Sequence, residues 1–177
     1  MIRYMPRLSV FTSSGLLFGC FLLSMFFVGK IGYFGIVHAA SPATVFFQPA
    51  SQTAAVGKTV TLQVSLRAPI AINSIDITLG FPIDKLVGLE ANINGTIFPI
   101  SVFPPNIDVL AGTAHFVMAI PSPGYKGFNG LIGTVSFRAQ GSGEAKVTIL
   151  DAKVIANDGK ATNVYGAYEA GIINDRA

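Results

Sequence analysis

The sequence contains no tryptophan, one cysteine and two histidines, and only 12% of its 177 residues are charged. Each shortage removes a class of function. Cys20 lies in an N-terminal apolar stretch, so the chain beyond Ser41 has no disulfide, no zinc–thiolate site and no cysteine nucleophile. His115 is the one histidine past the first forty residues, and a single imidazole supplies neither a triad nor a metal cage. Its place on the polar row of a strand reads as a half-exposed surface residue. Asp76, Asp84, Glu90, Asp108, Glu144, Asp151 and Asp158 never cluster in sequence. A glycosidase needs two carboxyls roughly 5–9.5 Å apart, and nothing here marks such a pair. The reading is non-enzymatic, with no cofactor and no metal.

Charge of one sign is also missing. Arg3, Arg7 and Lys30 lie in the first forty residues, and from Ser41 onward nine Lys/Arg face nine Asp/Glu. The formal charge of +3 therefore belongs to the N-terminus. Without a basic stripe, nucleic acid is excluded as a partner.

What is present begins with a targeting segment over residues 1–40. Arg3 and Arg7 precede an apolar run, Leu8–Gly29, and Val37-His38-Ala39-Ala40 supplies the small residues of an export cleavage region. Two outcomes are open. Cleavage at Ala39 or Ala40 releases the domain, and the small residues favour it. Without cleavage, the run is long enough to cross a bilayer and anchors the chain in a membrane. Either way the domain is exported, extracellular or on the cell surface. Cys20 loosely imitates a lipoprotein site, but the apolar run continues past it.

From Val45 onward the pattern is strand and turn. Val60, Leu62, Val64 and Leu66 alternate with Thr61, Gln63 and Ser65, and Ile75, Ile77, Leu79 and Phe81 with Asp76, Thr78 and Gly80. Phe116, Met118 and Ile120, then Leu131, Val135 and Phe137, then Val147 and Ile149 repeat the period of two. Val45–Phe47, Ile97–Phe103 and Val154-Ile155 read as strands buried on both faces or near a sheet edge. Asn94-Gly95, Asn157-Asp158-Gly159 and Gln140–Glu144 read as reversals. Long helices are absent, and one helical turn is expected at Ile83–Leu86. Eight or nine short strands point to an all-β antiparallel sandwich.

Two stretches carry a family likeness. VFFQPASQTAAVGKTVTLQVSLRAPIAINSIDITLGFPIDKLVGLE resembles the opening of a cohesin domain: a first strand, a Val-Gly-Lys-x-Val-x-Leu strand, an Ile-Asn-Ser-Ile segment and a Phe-Pro bend. GYKGFNGLIGTVSFRAQGSGEAKVTILDAKVIANDGKATNV resembles the second half, with its Gly-rich loop, Val-Ser-Phe-Arg-Ala strand, Gly-x-Gly reversal and late Asp-Gly turn. The likeness spans residues 44–165 and leaves 166–177 as a C-terminal tail. It implies a nine-stranded jelly roll related to cellulose-binding modules. It also implies a non-catalytic receptor for a dockerin-like or other surface protein. Lacking repeats and dockerin-like calcium loops, the chain is more similar to single cohesin-like domains behind a signal or anchor than to scaffold arrays. Where cohesins place Asp-Pro after the aromatic, this chain has Phe81-Pro82; the bend survives, but partner contacts at that corner are not carried over.

The alternative reading is a carbohydrate-binding module taking polysaccharide. Such modules stack aromatic rings on sugar faces, and Tyr125, Phe128 and Tyr165, with Tyr168, are the candidates. Tyr125 and Phe128 share one loop, and the Gly-x-Gly-Phe pattern around Phe128 is expected to fold it back as a core plug. Asn157-Asp158-Gly159 suits a hairpin better than a calcium loop. Asn94-Gly95-Thr96 fits a glycosylation pattern but reads as a turn. For a protein partner, the polar rows Thr61/Gln63/Ser65, Asp76/Thr78 and Thr134/Ser136/Arg138 are the available platform.

Overall fold

A computed structural model describes residues 42–176, with side chains through Asn174. They belong to a unit spanning Ala39–Ala177. The export run, Cys20, and the cleavage residues Ala39 and Ala40 lie outside the described residues. Among the described residues no helix is long and apolar enough to cross a membrane.

Ten strands follow one another: β1 (Ala43–Gln48), β2 (Ser51–Ala55), β3 (Thr59–Gly80), β4 (Leu86–Asn92), β5 (Ile100–Asp108), β6 (Thr113–Ala119), β7 (Tyr125–Ala139), β8 (Gly143–Ala156), β9 (Tyr165–Tyr168) and β10 (Gly171–Arg176). They form two layers. The first runs β9-β1-β3-β7-β4, the second β5-β6-β3-β8-β10-β2. Strand β3 belongs to both. Fully extended, its 22 residues would reach about 70 Å, more than a domain of this size can span, so it must bend. Its first half pairs with β1 and β7, its second with β6 and β8. The change falls where pairing with β7 skips from Ala68 to Ile72. Pro69, with no N–H to give, occupies that skip.

Alternation places the core as the sequence implies. Val60, Leu62, Val64 and Leu66 from one half of β3 and Ile75, Ile77 and Leu79 from the other are all buried in one cluster with Phe116, Met118, Val135, Phe137 and Val147. Phe81 closes its end, edge-on to Phe137 with ring centroids 5.0 Å apart. Pro82 then stops pairing and accepts N–H bonds from Lys85 (3.2 Å) and Leu86 (2.9 Å), a single turn that returns Leu86 to the core. Gly124 is needed at its turn: its φ is +81°, and a Cβ would lie 2.5 Å from the Ile72 carbonyl oxygen.

Three expectations are revised. The described residues form ten strands, not nine, because β3 and β8 each join two apolar runs while Ser51–Ala55, Leu86–Asn92 and the two C-terminal strands are too short or too polar to show a period. Two pairings, β9 with β1 and β10 with β2, are parallel, since the end of the chain returns alongside its start in the same direction. Residues 166–176 are no tail: Ile173 is fully buried, and β10 is clamped between β2 and β8.

Candidate binding face

The two outer surfaces of the sandwich differ in chemistry. On the first layer, polar side chains bond to one another: Thr61 to Ser136 at 2.8 Å, and the Ser65 hydroxyl to Gln48 Oε1 at 3.2 Å. Arg67 stacks over the Phe46 ring at 5.5 Å. Thr61/Gln63/Ser65 and Thr134/Ser136/Arg138 both lie here, in register on β3 and β7. Asp76/Thr78 lie on the other layer, so the three expected rows do not form one platform.

The second layer presents four strands outward. Ladder register sets its rows: Ile155, Ser74, Ala119 and Ile100; then Lys153, Asp76, Val117 and Phe103; then Asp151, Thr78, His115 and Asn106. Residues opposite each other share a face, so these side chains stand side by side. Most are half-exposed. His115 Nε2 and Asp76 Oδ1 lie 2.8 Å apart and tie β6 to β3 across the surface. At this exposure the pair contributes at most about 1 kcal/mol.

Large apolar side chains rim this face. Ile100 and the 63% exposed Phe103 stand on β5, and Leu110 projects from the β5–β6 turn, whose N–H groups at Leu110 and Ala111 Asp108 accepts. On β8 a register shift leaves Leu150 unpaired and 62% exposed, lying over Gly80. Sequence reading missed these residues. Ile97–Phe103 did look like a strand near an edge, but only Phe98 within it is buried. The usable signal was Pro104-Pro105, because consecutive prolines inside an apolar run are tolerated on an edge strand facing solvent.

The sequence candidates are dispersed. Tyr125 is half-buried at the start of β7, its ring filling the space beside Gly127 and Gly130. Phe128, expected as a core plug, is 77% exposed, and it is the Tyr125 ring that packs against Gly127 and Gly130. Tyr165 lies on β9 and packs partly against the core, near Tyr168. Burial raises its pKa above 10.0, and a charged Tyr168 adds to the rise, so it stays a protonated phenol at neutral pH. Asp158 caps its own turn, accepting the Lys160 N–H (2.8 Å) and the Thr162 hydroxyl. Asn94-Gly95 forms a turn closed by Thr96 N–H to Ile93 O at 3.1 Å. Among the described residues no three His, Cys, Asp or Glu are placed to hold a metal.

Neither a family model nor a curated protein matches the sequence. Solved structures do. The non-cellulosomal cohesin of the archaeon Archaeoglobus fulgidus is 19% identical, with a TM-score of 0.63 over 77% of this chain and 92% of its own. The cohesin Coh-OlpC of Clostridium thermocellum, solved in a type I complex with Doc435, is 14% identical, with a TM-score of 0.64 over 76% and 94%. The seventh ScaB type I cohesin of Pseudobacteroides cellulosolvens is 18% identical, with a TM-score of 0.63 over 76% and 92%. The fold is that of a cohesin.

Proposed function

We propose that the chain is an exported, non-catalytic binding module that takes a protein partner of dockerin type on the outer face of its second layer. One observation carries this reading: Ile100, Phe103, Leu110 and Leu150 stand exposed around a half-exposed mixed surface, while on the opposite face Thr61 bonds to Ser136 and Ser65 to Gln48. Exposed apolar patches of this kind are where partners dock, and Phe is enriched in such contacts. Cohesins solved with dockerins supply the partner class. Export is the reading that the Leu8–Gly29 run and the Val37–Ala40 region of the sequence support, with the module released or held at a membrane.

The test is calorimetry against a panel of dockerin modules, with affinity capture from envelope extracts to find other partners. Phe103→Asp is expected to weaken binding at least tenfold, because a buried unpaired carboxylate replaces an apolar anchor. Gln63→Asp on the opposite face is expected to leave binding unchanged. If both variants bind as the parent does, the face is wrong. If the parent binds no protein, the function is wrong.

A further inference from the structure

Strand β8 is paired along only part of the edge that faces away from β3. Near its end, Val154 donates its N–H to Asn163 Oδ1 (3.0 Å) and accepts the Val164 N–H (2.8 Å). Near its start, Gly171 of β10 meets Val147 on the same edge. Between these two points the chain leaves β8, and Tyr165–Tyr168 pair with β1 in the other layer. Residues two apart on a strand bond to the same side. The N–H and C=O of Ala152 therefore turn toward the gap, as those of Val154 turn toward Asn163 and Val164.

The gap is a cavity of about 500 Å3 between Ile149–Ala152 and Tyr165–Tyr168. Small-molecule sites usually hold about 300–1,000 Å3. Ile149, Ala152 and the half-buried Tyr165 give it an apolar floor. Asp151 and Tyr168 stand exposed among its walls. The slot is thus apolar below, aromatic on one side, and lined on the other by a carboxylate and by the Ala152 N–H and C=O turned toward it.

We infer that this slot binds a neutral pyranose unit. A sugar ring carries an apolar C–H face and a rim of hydroxyls. The tyrosine rings match the first, and the Asp151 carboxylate with the Ala152 N–H and C=O match the second. An extended peptide does not fit the same space. Val164 and Gly171 already hold the β8 edge at either end, so a strand cannot run along it. A compact ligand enters from the open side. The slot shares Leu150 and Asp151 with one margin of the second layer's outer face but lies apart from Phe103 on β5, so the Phe103→Asp variant separates it from the protein-binding reading. It also replaces Tyr125 and Phe128 as the place for sugar contact.

Saturation-transfer NMR tests it on the full chain in a sugar-free zwitterionic detergent, with glucose, galactose, mannose and cellobiose as probes. At least one is expected to receive transfer at its ring protons, with cellobiose exceeding glucose if the unit is read within a chain and equalling it if a single unit suffices. Tyr168→Ala and Asp151→Asn are expected to weaken that probe at least tenfold while circular dichroism stays unchanged. Phe103→Asp is expected to leave the signal intact. Absence of transfer to all four probes overturns the inference, as does transfer that survives both slot variants.

Discussion

Asp158 and Asn163 hold the reversal that carries the chain from β8 to β9. Asn163 Oδ1 accepts N–H groups from both Val154 (3.0 Å) and Tyr165 (3.1 Å), so one side chain links the two strands. Asp158 accepts from Lys160 and Thr162, and these bonds, the Thr162 hydroxyl foremost, lower its pKa below 3.8. The folded state therefore prefers the carboxylate. Stability from this group is present above about pH 4 and is lost as pH falls through the lowered pKa. Thermal unfolding of the parent and of Asp158→Asn from pH 5 down to pH 2 reads this out. The parent's advantage is expected to shrink with acidity; an advantage that grew would contradict it. That this turn is a hairpin was legible, because Asn-Asp-Gly suits tight reversal. Phe128 was not, because sequence shows that glycines admit a ring nearby without showing whose ring arrives, and Tyr125 arrives.

Strands were readable where both faces of the ladder differ. The two halves of β3, β6 and the second half of β7 alternate between buried apolar residues and more exposed ones because one side meets the core and the other water. Strands defined by their neighbours were not readable. Tyr165-Gly166-Ala167-Tyr168 has no period of its own, and becomes a strand because β1 offers an unpaired edge. Gly171–Arg176 is six residues long and is fixed by β2 on one side and β8 on the other. Removing residues 166–177 is therefore expected to do more than trim an end. It withdraws the buried Ile173, unpairs β2, and exposes the β1 and β8 edges together. Loss of an Ile-sized core side chain alone costs about 2–5 kcal/mol, a large part of a typical domain's stability. The shortened chain is expected to melt at least 10 °C lower or to aggregate, by circular dichroism and light scattering. An unchanged melting point would mean the two strands are accessories.

At the scale of the described domain, the layered all-β fold was legible and the chemical difference between its two faces was not. Periodicity says which side chains of one strand point together. It does not say which strands share a layer, and so it cannot tell a mainly polar face from a mixed one. That depends on β3, whose bend sends Thr61 and Gln63 to one surface and Asp76 and Thr78 to the other. The same bend has an energetic consequence. Leu62 and Val64 from one half of β3 and Ile75 and Ile77 from the other are buried in one cluster, so neither layer can open without uncovering the other's apolar face. Partial unfolding would leave that surface in water at about 25 cal/mol per Å2. A fragment beginning at Ser41 is accordingly expected to unfold in urea in one step. Far-UV circular dichroism and tyrosine fluorescence should give coincident midpoints, the sequence having no tryptophan to dominate the emission. Reductant should shift neither, because Cys20 is the sole cysteine and the fragment omits it. Two separated transitions would mean that the layers fold independently and that β3 is a linker between them rather than the member they share.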